Sequence, residues 1–123
     1  MELRIPDFAL VLLVGATGSG KSTFAASRFR PTEIVSSDRC RALVADDETD
    51  QGATSDAFAI LHAIAGKRLE RRRLTVVDAT NVRPEDRKGL VDLARRHHAL
   101  PVAIVLDLPE AVCLARNAAR TDR

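Results

Sequence analysis

Aromatic side chains are scarce in this chain of 123 residues, which has four Phe and neither Tyr nor Trp. Proteins that hold single-stranded nucleic acid on stacked aromatic side chains need more of them, so this sequence disfavours that mode of binding. Lysine is scarce as well: three of the 19 basic residues are Lys and the other 16 are Arg. Arg suits bidentate contacts with phosphate, although an excess of Arg also arises from compositional bias.

Long apolar runs and paired cysteines are absent too. The longest apolar run, from Phe8 to Val14, has seven residues, whereas a membrane-spanning helix needs about 20. The N-terminus does not show the basic segment and apolar stretch of a secretory signal. Cys40 and Cys113 stand far apart and form no CxxC pair, so neither a disulfide framework nor a thiolate metal site is indicated. We therefore expect a cytoplasmic protein without a membrane segment.

The composition is that of a globular domain. Apolar residues make up 46% and charged residues 29% of the chain, and the formal net charge is +2. The length fits one domain, so we predict a single domain over residues 1–123. A net charge this close to neutral gives no indication of a polyanionic partner by itself.

Apolar runs and helical patterns alternate along the chain. Phe8–Val14, Leu74–Val77 and Val102–Leu106 have the length and flanking residues of strands buried on both faces, and the shorter Glu33–Ser36 predicts a weaker strand. Four segments predict helices: Ser22–Phe29, one through Phe58 and Leu69 with Thr54 or Ser55 as N-cap, one opened by Pro84, and one from Pro109 toward Arg120. The alternation predicts an α/β fold, with an open parallel sheet of about four strands and helices on both faces.

One motif indicates a nucleotide-binding class. The segment GATGSGKS, from Gly15 to Ser22, matches GxxxxGK[ST] and lies between a predicted strand and a predicted helix. In this motif, backbone N–H groups converge on phosphate oxygens, the lysine reaches the β and γ phosphates, and the hydroxyl is a ligand of Mg²⁺. We therefore predict a P-loop NTPase fold that binds ATP and Mg²⁺. The predicted nucleotide-binding residues are Gly15, Gly18, Ser19, Gly20, Lys21, Ser22 and Thr23.

Two acids follow predicted strands. Asp78 closes the third run, where P-loop proteins keep the carboxylate that holds Mg²⁺, so we predict Ser22 and Asp78 as metal ligands. Asp38 follows the short strand, with Arg41 one helical turn further on. Ligands of open α/β sheets bind at the carboxyl ends of parallel strands. Spacing alone leaves open that each acid is instead a helix N-cap.

Two further charged segments have simpler interpretations. Asp46–Gly52 predicts a solvated acidic loop, to which we assign no role. Arg116, Arg120 and Arg123 are spaced to share one helical face. Such a face either binds phosphates or is simply solvated, and the spacing does not decide between the two.

Five stretches together resemble a known family: GATGSGKSTFA, RPTEIVSSDRCR, ADDETDQ, LTVVDATNV and ARNAARTDR. They resemble the 5′-kinase module of the bacterial polynucleotide kinase-phosphatases that repair RNA, within the P-loop kinase superfamily. A P-loop alone would not separate this family from shikimate or adenylate kinases, but SSDxCR, DATN and RNxxRTDR together do. The resemblance implies transfer of the γ-phosphoryl group of ATP to the 5′-OH end of RNA or DNA.

The resemblance also implies roles for individual residues. Asp38 matches the general base of the family, and Arg41 matches the arginine that binds the acceptor phosphate. Arg116 matches the lid arginine that reaches the transferred phosphate, with Arg120 and Arg123 in the same motif. The implied catalytic residues are Asp38, Lys21 and Arg116, and Arg120 and Arg123 join the nucleotide-binding set.

The family also implies parts beyond this sequence. Its modules have the strand order 2-3-1-4-5 and continue past RNxxRTDR with a completed lid and a last strand, so we expect both to be missing here. Phosphatase and ligase-type nucleotidyltransferase domains, or a partner chain, would complete the lid. Two alternatives stay open: a non-catalytic ATP-binding module whose exposed sheet edge pairs with another chain or a second copy, and a P-loop kinase for a small metabolite.

Overall fold

The computed structural model describes residues 5–16, 20–81 and 83–106. In chain order they form β1 (Ala9–Val14), α1 (Lys21–Arg28), β2 (Ile34–Ser36), α2 (Ser37–Ala45), α3 (Thr54–Glu70), β3 (Thr75–Asp78), α4 (Pro84–Arg96) and β4 (Leu100–Val105). Short 3₁₀ turns, Pro31–Glu33 and Gln51–Ala53, precede β2 and α3. The helix predicted from Pro109 toward Arg120 lies outside the described residues. None of the helices in those ranges is long and apolar enough to cross a membrane.

The strands form one parallel sheet in the order β2-β3-β1-β4. This confirms the predicted α/β fold with an open parallel sheet of four strands, and it agrees with the order implied by the resemblance. The register aligns Leu13 of β1 and Ser36 of β2 with Asp78 of β3. The carboxyl ends of these three strands therefore lie side by side, and the segments that follow them share one edge of the sheet.

Side chains of β1 alternate between two apolar layers, because successive residues of a strand point to opposite faces. Leu10 and Leu12 belong to the layer formed with α3 and α4, whereas Val11 and Leu13 belong to the layer formed with α1. Every residue of β3 is buried. Helices therefore cover both faces of the central strands, as predicted.

The last described strand departs from its prediction. The sequence predicts that β4 is buried on both faces, but Leu100 and Val105 are 52% and 59% exposed. Within the described residues, β4 pairs with β1 and lies at the edge of the sheet. The apolar run alone does not distinguish an edge strand from a central one, so burial on both faces is correct for β1 and β3 and wrong for β4.

Two helix starts test the predicted boundaries. Pro84 opens α4 at its first position, as predicted. The predicted cap of α3 is wrong, because α3 begins at Thr54 itself and its N-cap, Ala53, has no side chain that can bond to the helix. The chain enters α3 through a 3₁₀ turn, where the Asp50 carboxylate accepts a hydrogen bond of 2.8 Å from the Gly52 N–H. The Thr54 hydroxyl is thereby left for another contact.

Candidate active site

A cleft of about 970 Å³ opens at the carboxyl edge of the sheet. Its walls come from the starts of α1, α2 and α3, the acidic loop between α2 and α3, and the end of β3 with the turn that follows. Seven of the predicted site residues line it: Gly20, Lys21, Ser22, Thr23, Asp38, Arg41 and Asp78. The structure thus brings these predicted residues together from three separate parts of the chain, at the edge where open α/β sheets bind ligands.

The P-loop is anchored at both ends. The Gly15 N–H donates to the Thr80 carbonyl at 2.9 Å, which ties the start of the loop to the turn after β3. Gly20 has a φ of 91°, a left-handed conformation that glycine adopts without a steric penalty, and it is the N-cap of α1. The first N–H groups of a helix have no partner within it, so α1 presents free donors beside the cleft. Gly18 and Ser19 lie outside the described residues.

Lys21 is the first residue of α1 and is 8% exposed. Its Nζ donates to the Ala16 carbonyl at 3.2 Å. Across residues 5–16, 20–81 and 83–106, no carboxylate lies within ion-pair distance of Nζ. A buried ammonium group is costly without a compensating negative charge. A phosphate group at the start of α1 would supply that charge, so Lys21 fits a nucleotide phosphate.

Ser22 and Asp78 form a direct pair across the cleft. The Ser22 hydroxyl donates to Asp78 Oδ2 at 2.8 Å, and Asp78 is 7% exposed at the end of β3. Carboxylate and hydroxyl oxygens are the hard donors that Mg²⁺ takes, with the rest of its ligands supplied by phosphates and water. The two side chains therefore fit the predicted metal site.

Asp38 and Arg41 form an ion pair on the opposite side of the cleft. Ser36 is the N-cap of α2 and accepts from the Arg39 N–H at 3.2 Å, so Asp38 does not cap this helix. Arg41 Nη1 donates to Asp38 Oδ1 at 2.7 Å. The Arg41 side chain is 12% exposed and that of Asp38 is 64% exposed. A carboxylate that solvent and ligands can reach thus lies beside a guanidinium that is held in place.

A second contact fixes the same arginine. Arg41 Nε donates to the Thr54 hydroxyl at 3.3 Å, so the guanidinium joins the first turns of α2 and α3. This is the contact that the Thr54 hydroxyl makes in place of the predicted cap. Sequence reasoning did not find it, because Thr54 is 13 residues from Arg41 in the chain.

The acidic loop also contributes to the site. It is exposed, as predicted, but Glu48, Thr49 and Gln51 line the cleft. Hydrogen bonds from the Thr49 hydroxyl and N–H to the Asp47 carboxylate hold the pKa of Asp47 below its ordinary value. The topology indicates why this loop lies at the cleft, since the connection from α2 to α3 must return to the carboxyl edge of the sheet, where α3 begins.

Asn81, in the DATN stretch, is a buried residue with no predicted role. It is 1% exposed, and its Nδ2 donates to the Leu13 carbonyl at 2.8 Å and to the Ala79 carbonyl at 3.3 Å. Its φ of 51° is a left-handed conformation that Asn tolerates better than most residues. The side chain therefore joins the end of β1, just before the P-loop, to the turn after β3.

The remaining predicted residues are the arginines of the RNxxRTDR motif. Arg116, Arg120 and Arg123 lie outside the described residues, so their placement remains a prediction. Of the predicted residues that are described, Gly15 lies at the end of β1 and the other seven line the cleft.

The sheet order, the P-loop and the acids at the strand ends define the P-loop kinase class, whose fold is that of phosphotransferases. A family model described as "AAA domain" matches residues 10–123. The chain belongs to that family.

Similar proteins agree with this class. The chain is 31% identical over 112 residues to the Arabidopsis thaliana protein named transcription factor bHLH140. The aligned region covers 91% of this chain and 12% of that protein. It is 28% identical to a chain in a solved Pnkp1/Rnl/Hen1 complex, with a TM-score of 0.72 over 94% of this chain and 41% of the other. A second structure of this complex, described as an RNA repair complex, gives a TM-score of 0.70 at the same identity, over 96% of this chain and 39% of the other. The resemblance found from the motifs is confirmed.

The fold occurs in small-metabolite kinases as well. An APS kinase of Mycobacterium tuberculosis, solved with AMPPNP and APS, is 20% identical, with a TM-score of 0.65 over 96% of this chain and 73% of the other. At this identity the likeness shows the fold alone. The present chain spans a small part of the plant protein and less than half of the chains in the RNA repair complex.

Proposed function

We propose that this chain is an ATP-dependent polynucleotide 5′-hydroxyl kinase, which transfers the γ-phosphoryl group to a 5′-OH end of RNA or DNA in nucleic-acid repair. The observation that carries the proposal is the convergence, in one cleft, of a buried P-loop lysine, the Ser22–Asp78 pair and the Asp38–Arg41 pair. The choice of a polynucleotide acceptor is supported by the similarity, over nearly the whole chain, to the Pnkp1/Rnl/Hen1 RNA repair complex.

On the nucleotide side, Lys21 and the N–H groups at the start of α1 bind the β and γ phosphates of ATP. Ser22 and Asp78 hold Mg²⁺, which neutralises phosphate charge when bound. Phosphoryl transfer passes through a loose transition state with negative charge spread over the equatorial oxygens, so catalysis consists mainly of positioning and charge neutralisation. The buried position of Lys21 strengthens its attraction for that charge.

On the acceptor side, Arg41 binds a phosphate of the polynucleotide and Asp38 orients the 5′-OH. As the bond between the 5′ oxygen and the γ phosphorus forms, the bond from that phosphorus to the β–γ bridging oxygen breaks and ADP leaves. The hydroxyl proton passes to the Asp38 carboxylate, which is exposed enough to return it to water. The Asp38–Arg41 ion pair opens in this step, because the acceptor phosphate takes the guanidinium.

The C-terminal motif belongs to the same proposal. Arg116 reaches the transferred phosphate, and Arg120 and Arg123 bind the nucleotide. Residues 1–123 form one P-loop kinase domain of a cytoplasmic protein. Phosphatase and ligase-type domains, a partner chain or a second copy are the partners that this proposal implies.

A transfer assay tests this function. The protein, Mg²⁺ and γ-labelled ATP are incubated with a 5′-OH oligonucleotide and, in parallel, with the same oligonucleotide carrying a 5′-phosphate. We expect label on the first and not on the second. Equimolar adenosine phosphosulfate in the same tube provides a competing acceptor. Label on the small acceptor with none on the oligonucleotide would assign the chain to a metabolite kinase, and nucleotide binding without any transfer would assign it to a non-catalytic module.

A further inference from the structure

A second depression, of about 470 Å³, lies at the other end of α3. It is lined by Ala63, Ile64, Lys67, Arg68, Arg71 and Arg73, which we call the α3 groove. Because α3 begins at the cleft with Thr54 and rises 1.5 Å per residue, the groove starts at Ala63, about 14 Å along the helix, and reaches Arg71 about 25 Å along it. It is therefore separate from the candidate active site, though the same helix carries both.

The groove is strongly cationic. Four of its six lining residues are Lys or Arg, and the neighbouring carboxylate of Glu70 lies 3.5 Å from Lys67 Nζ in a pair that is exposed on both sides. Exposed pairs of this kind contribute little. Burial lowers the pKa of Arg68, and the nearby charges of Arg73 and Arg30 lower it further, with Glu33 opposing them. Cations are thus crowded at this end of the molecule.

Two arginines at this end of α3, Arg68 and Arg72, make structural contacts. Arg68 Nη2 donates to the Leu74 carbonyl at 2.6 Å and Nε to the Thr75 hydroxyl at 3.3 Å, which fixes the entry into β3. Arg72, between two groove residues, has a φ of 62°. It donates to the His97 carbonyl at 3.1 Å, with its guanidinium 4.1 Å from the centre of the Phe8 ring. These contacts account for Arg68 and Arg72 without a ligand.

Among the described residues, the side chains of Arg71 and Arg73 make no such contacts. Both are exposed, and within the described part of the chain neither side chain pairs with a carboxylate. The helix dipole favours the basic residues in the last turn of α3, but Arg73 lies beyond the end of the helix. Two exposed guanidinium groups beside a shallow apolar surface are suited to an anion with an apolar part.

We propose that the α3 groove binds the backbone of the acceptor polynucleotide, several nucleotides away from the 5′ end in the cleft. This inference rests on the proposed function, which brings one end of a polyanion to the start of α3. Ala59 lies between the cleft and the groove and Ala63 lies where the groove starts; both are exposed and present small uncharged side chains. A stacked strand rises about 3.4 Å per nucleotide, so about seven nucleotides cover the distance. Ile64, exposed on the groove surface, offers an apolar contact to a base.

The test compares a three-nucleotide with a twelve-nucleotide 5′-OH acceptor. In R71S/R73S, we expect KM for the long acceptor to rise about tenfold and KM for the short acceptor to stay unchanged, because only the long one reaches the two arginines. Loss of two single-strand phosphate contacts should also make the slope of log affinity against log salt concentration shallower by about 1.4. The matched control R95S/R96S removes the same charge from the end of α4 and leaves both acceptors unaffected.

Binding gives a readout that does not require transfer. Fluorescence anisotropy of a labelled twelve-nucleotide strand with a 5′-phosphate measures affinity for wild type, R71S/R73S and R95S/R96S. The proposal is overturned if R71S/R73S and R95S/R96S weaken binding equally, or if R71S/R73S changes KM equally for the long and the short acceptor. It is also overturned if a polyglutamate peptide of matched charge displaces the labelled strand as well as an unlabelled oligonucleotide does. That last result would assign the groove to an acidic protein segment.

The two proposals fail in different ways. If the wild-type protein transfers phosphate to both acceptors with the same KM, the groove proposal is contradicted and the proposed function stands. If the wild-type protein binds the long strand through the two arginines but transfers no phosphate to any 5′-OH end, the groove proposal is supported. The kinase assignment is then contradicted.

Discussion

The two sides of the cleft are built from different parts of the sheet. The side that we propose binds the nucleotide, here called the nucleotide side, rests on β1 and β3. Its residues Lys21 and Asp78 are 8% and 7% exposed. The side that we propose binds the acceptor, the acceptor side, follows β2, a strand of three residues that pairs with β3. Its Asp38 side chain is 64% exposed. One side is enclosed and the other is open.

This difference explains why the class is easier to establish than the substrate. Nucleotide-side residues are adjacent in sequence or aligned by strand register, so they need few contacts to meet. The acceptor side depends on side chains from α2, α3 and the loop between them, such as the Arg41–Thr54 contact. We expect variation in that loop to affect the acceptor more than the nucleotide, because loops tolerate change better than central strands.

The largest effect is expected at the enclosed side. Lys21→Met removes the buried positive charge at the β and γ phosphates, so we expect kcat for phosphate transfer to fall about 10³-fold. Lys88→Met, which removes an exposed lysine paired with Asp92 on α4, serves as the control. A Lys21→Met enzyme with more than a tenth of wild-type kcat would contradict the assignment.

The next effect separates the two sides. Asp38→Asn removes the proton acceptor but keeps the shape of the side chain, and we expect kcat to fall about 10²-fold, with unchanged affinity for the nucleotide measured by titration calorimetry. Asp56→Asn, in the first turn of α3, removes a comparable exposed charge and should leave kcat unchanged. Unchanged kcat in Asp38→Asn would remove the base assignment.

A smaller effect tests how the open side is held. Thr54→Val keeps the shape of the side chain but loses the hydroxyl that accepts from Arg41 Nε, so Arg41 is less firmly placed. We expect KM for the oligonucleotide to rise up to about tenfold, with KM for ATP unchanged. Thr54→Ser restores the hydroxyl and should restore KM. Equal rises in both KM values would mean that the substitution disturbs the whole cleft.

The smallest effect concerns the packing between α3, which carries the acceptor side, and α4, which follows the nucleotide side. His62 on α3 lies against α4, where a Cβ at Gly89 would be 3.5 Å from its Cε1. Burial lowers the pKa of His62, and the charge of Arg96 lowers it further while Asp86 opposes this. The unfolded chain therefore binds a proton more readily than the folded protein, and stability falls as pH drops through the ordinary value of 6.5.

Because the His62 ring is only half-buried, we expect that loss to stay below about 1 kcal/mol. Urea unfolding at pH 7.5 and pH 5.5 measures it. His62→Asn should reduce the pH dependence, whereas the exposed His98→Asn, at a left-handed position that Asn tolerates, should not. An unchanged pH dependence in His62→Asn would show that other groups cause it.

The sequence predicted the parts of the site that depend on local geometry. The P-loop follows from eight consecutive residues, and Asp38 and Arg41 were expected after β2, one helical turn apart. Neither helix α2, which carries both residues, nor the ion pair between them was predicted. The Thr54 contact and the cleft-lining part of the acidic loop depend on how α2 and α3 pack, which no spacing in the sequence reveals. The exposure of the β4 side chains was missed for a similar reason, since an apolar run does not show what packs against each face of the strand.

Asn81 limits how this region can change in evolution. Its amide group ties the strand that leads into the P-loop to the turn after the neighbouring strand, at a site with 1% exposure. Replacement by Asp would place a carboxylate against the Leu13 carbonyl, and replacement by Leu would leave that carbonyl without its donor. Neither of the residues closest to Asn in size is acceptable there. We therefore expect loss of this side chain to disturb both strand ends together, whatever acceptor the cleft binds.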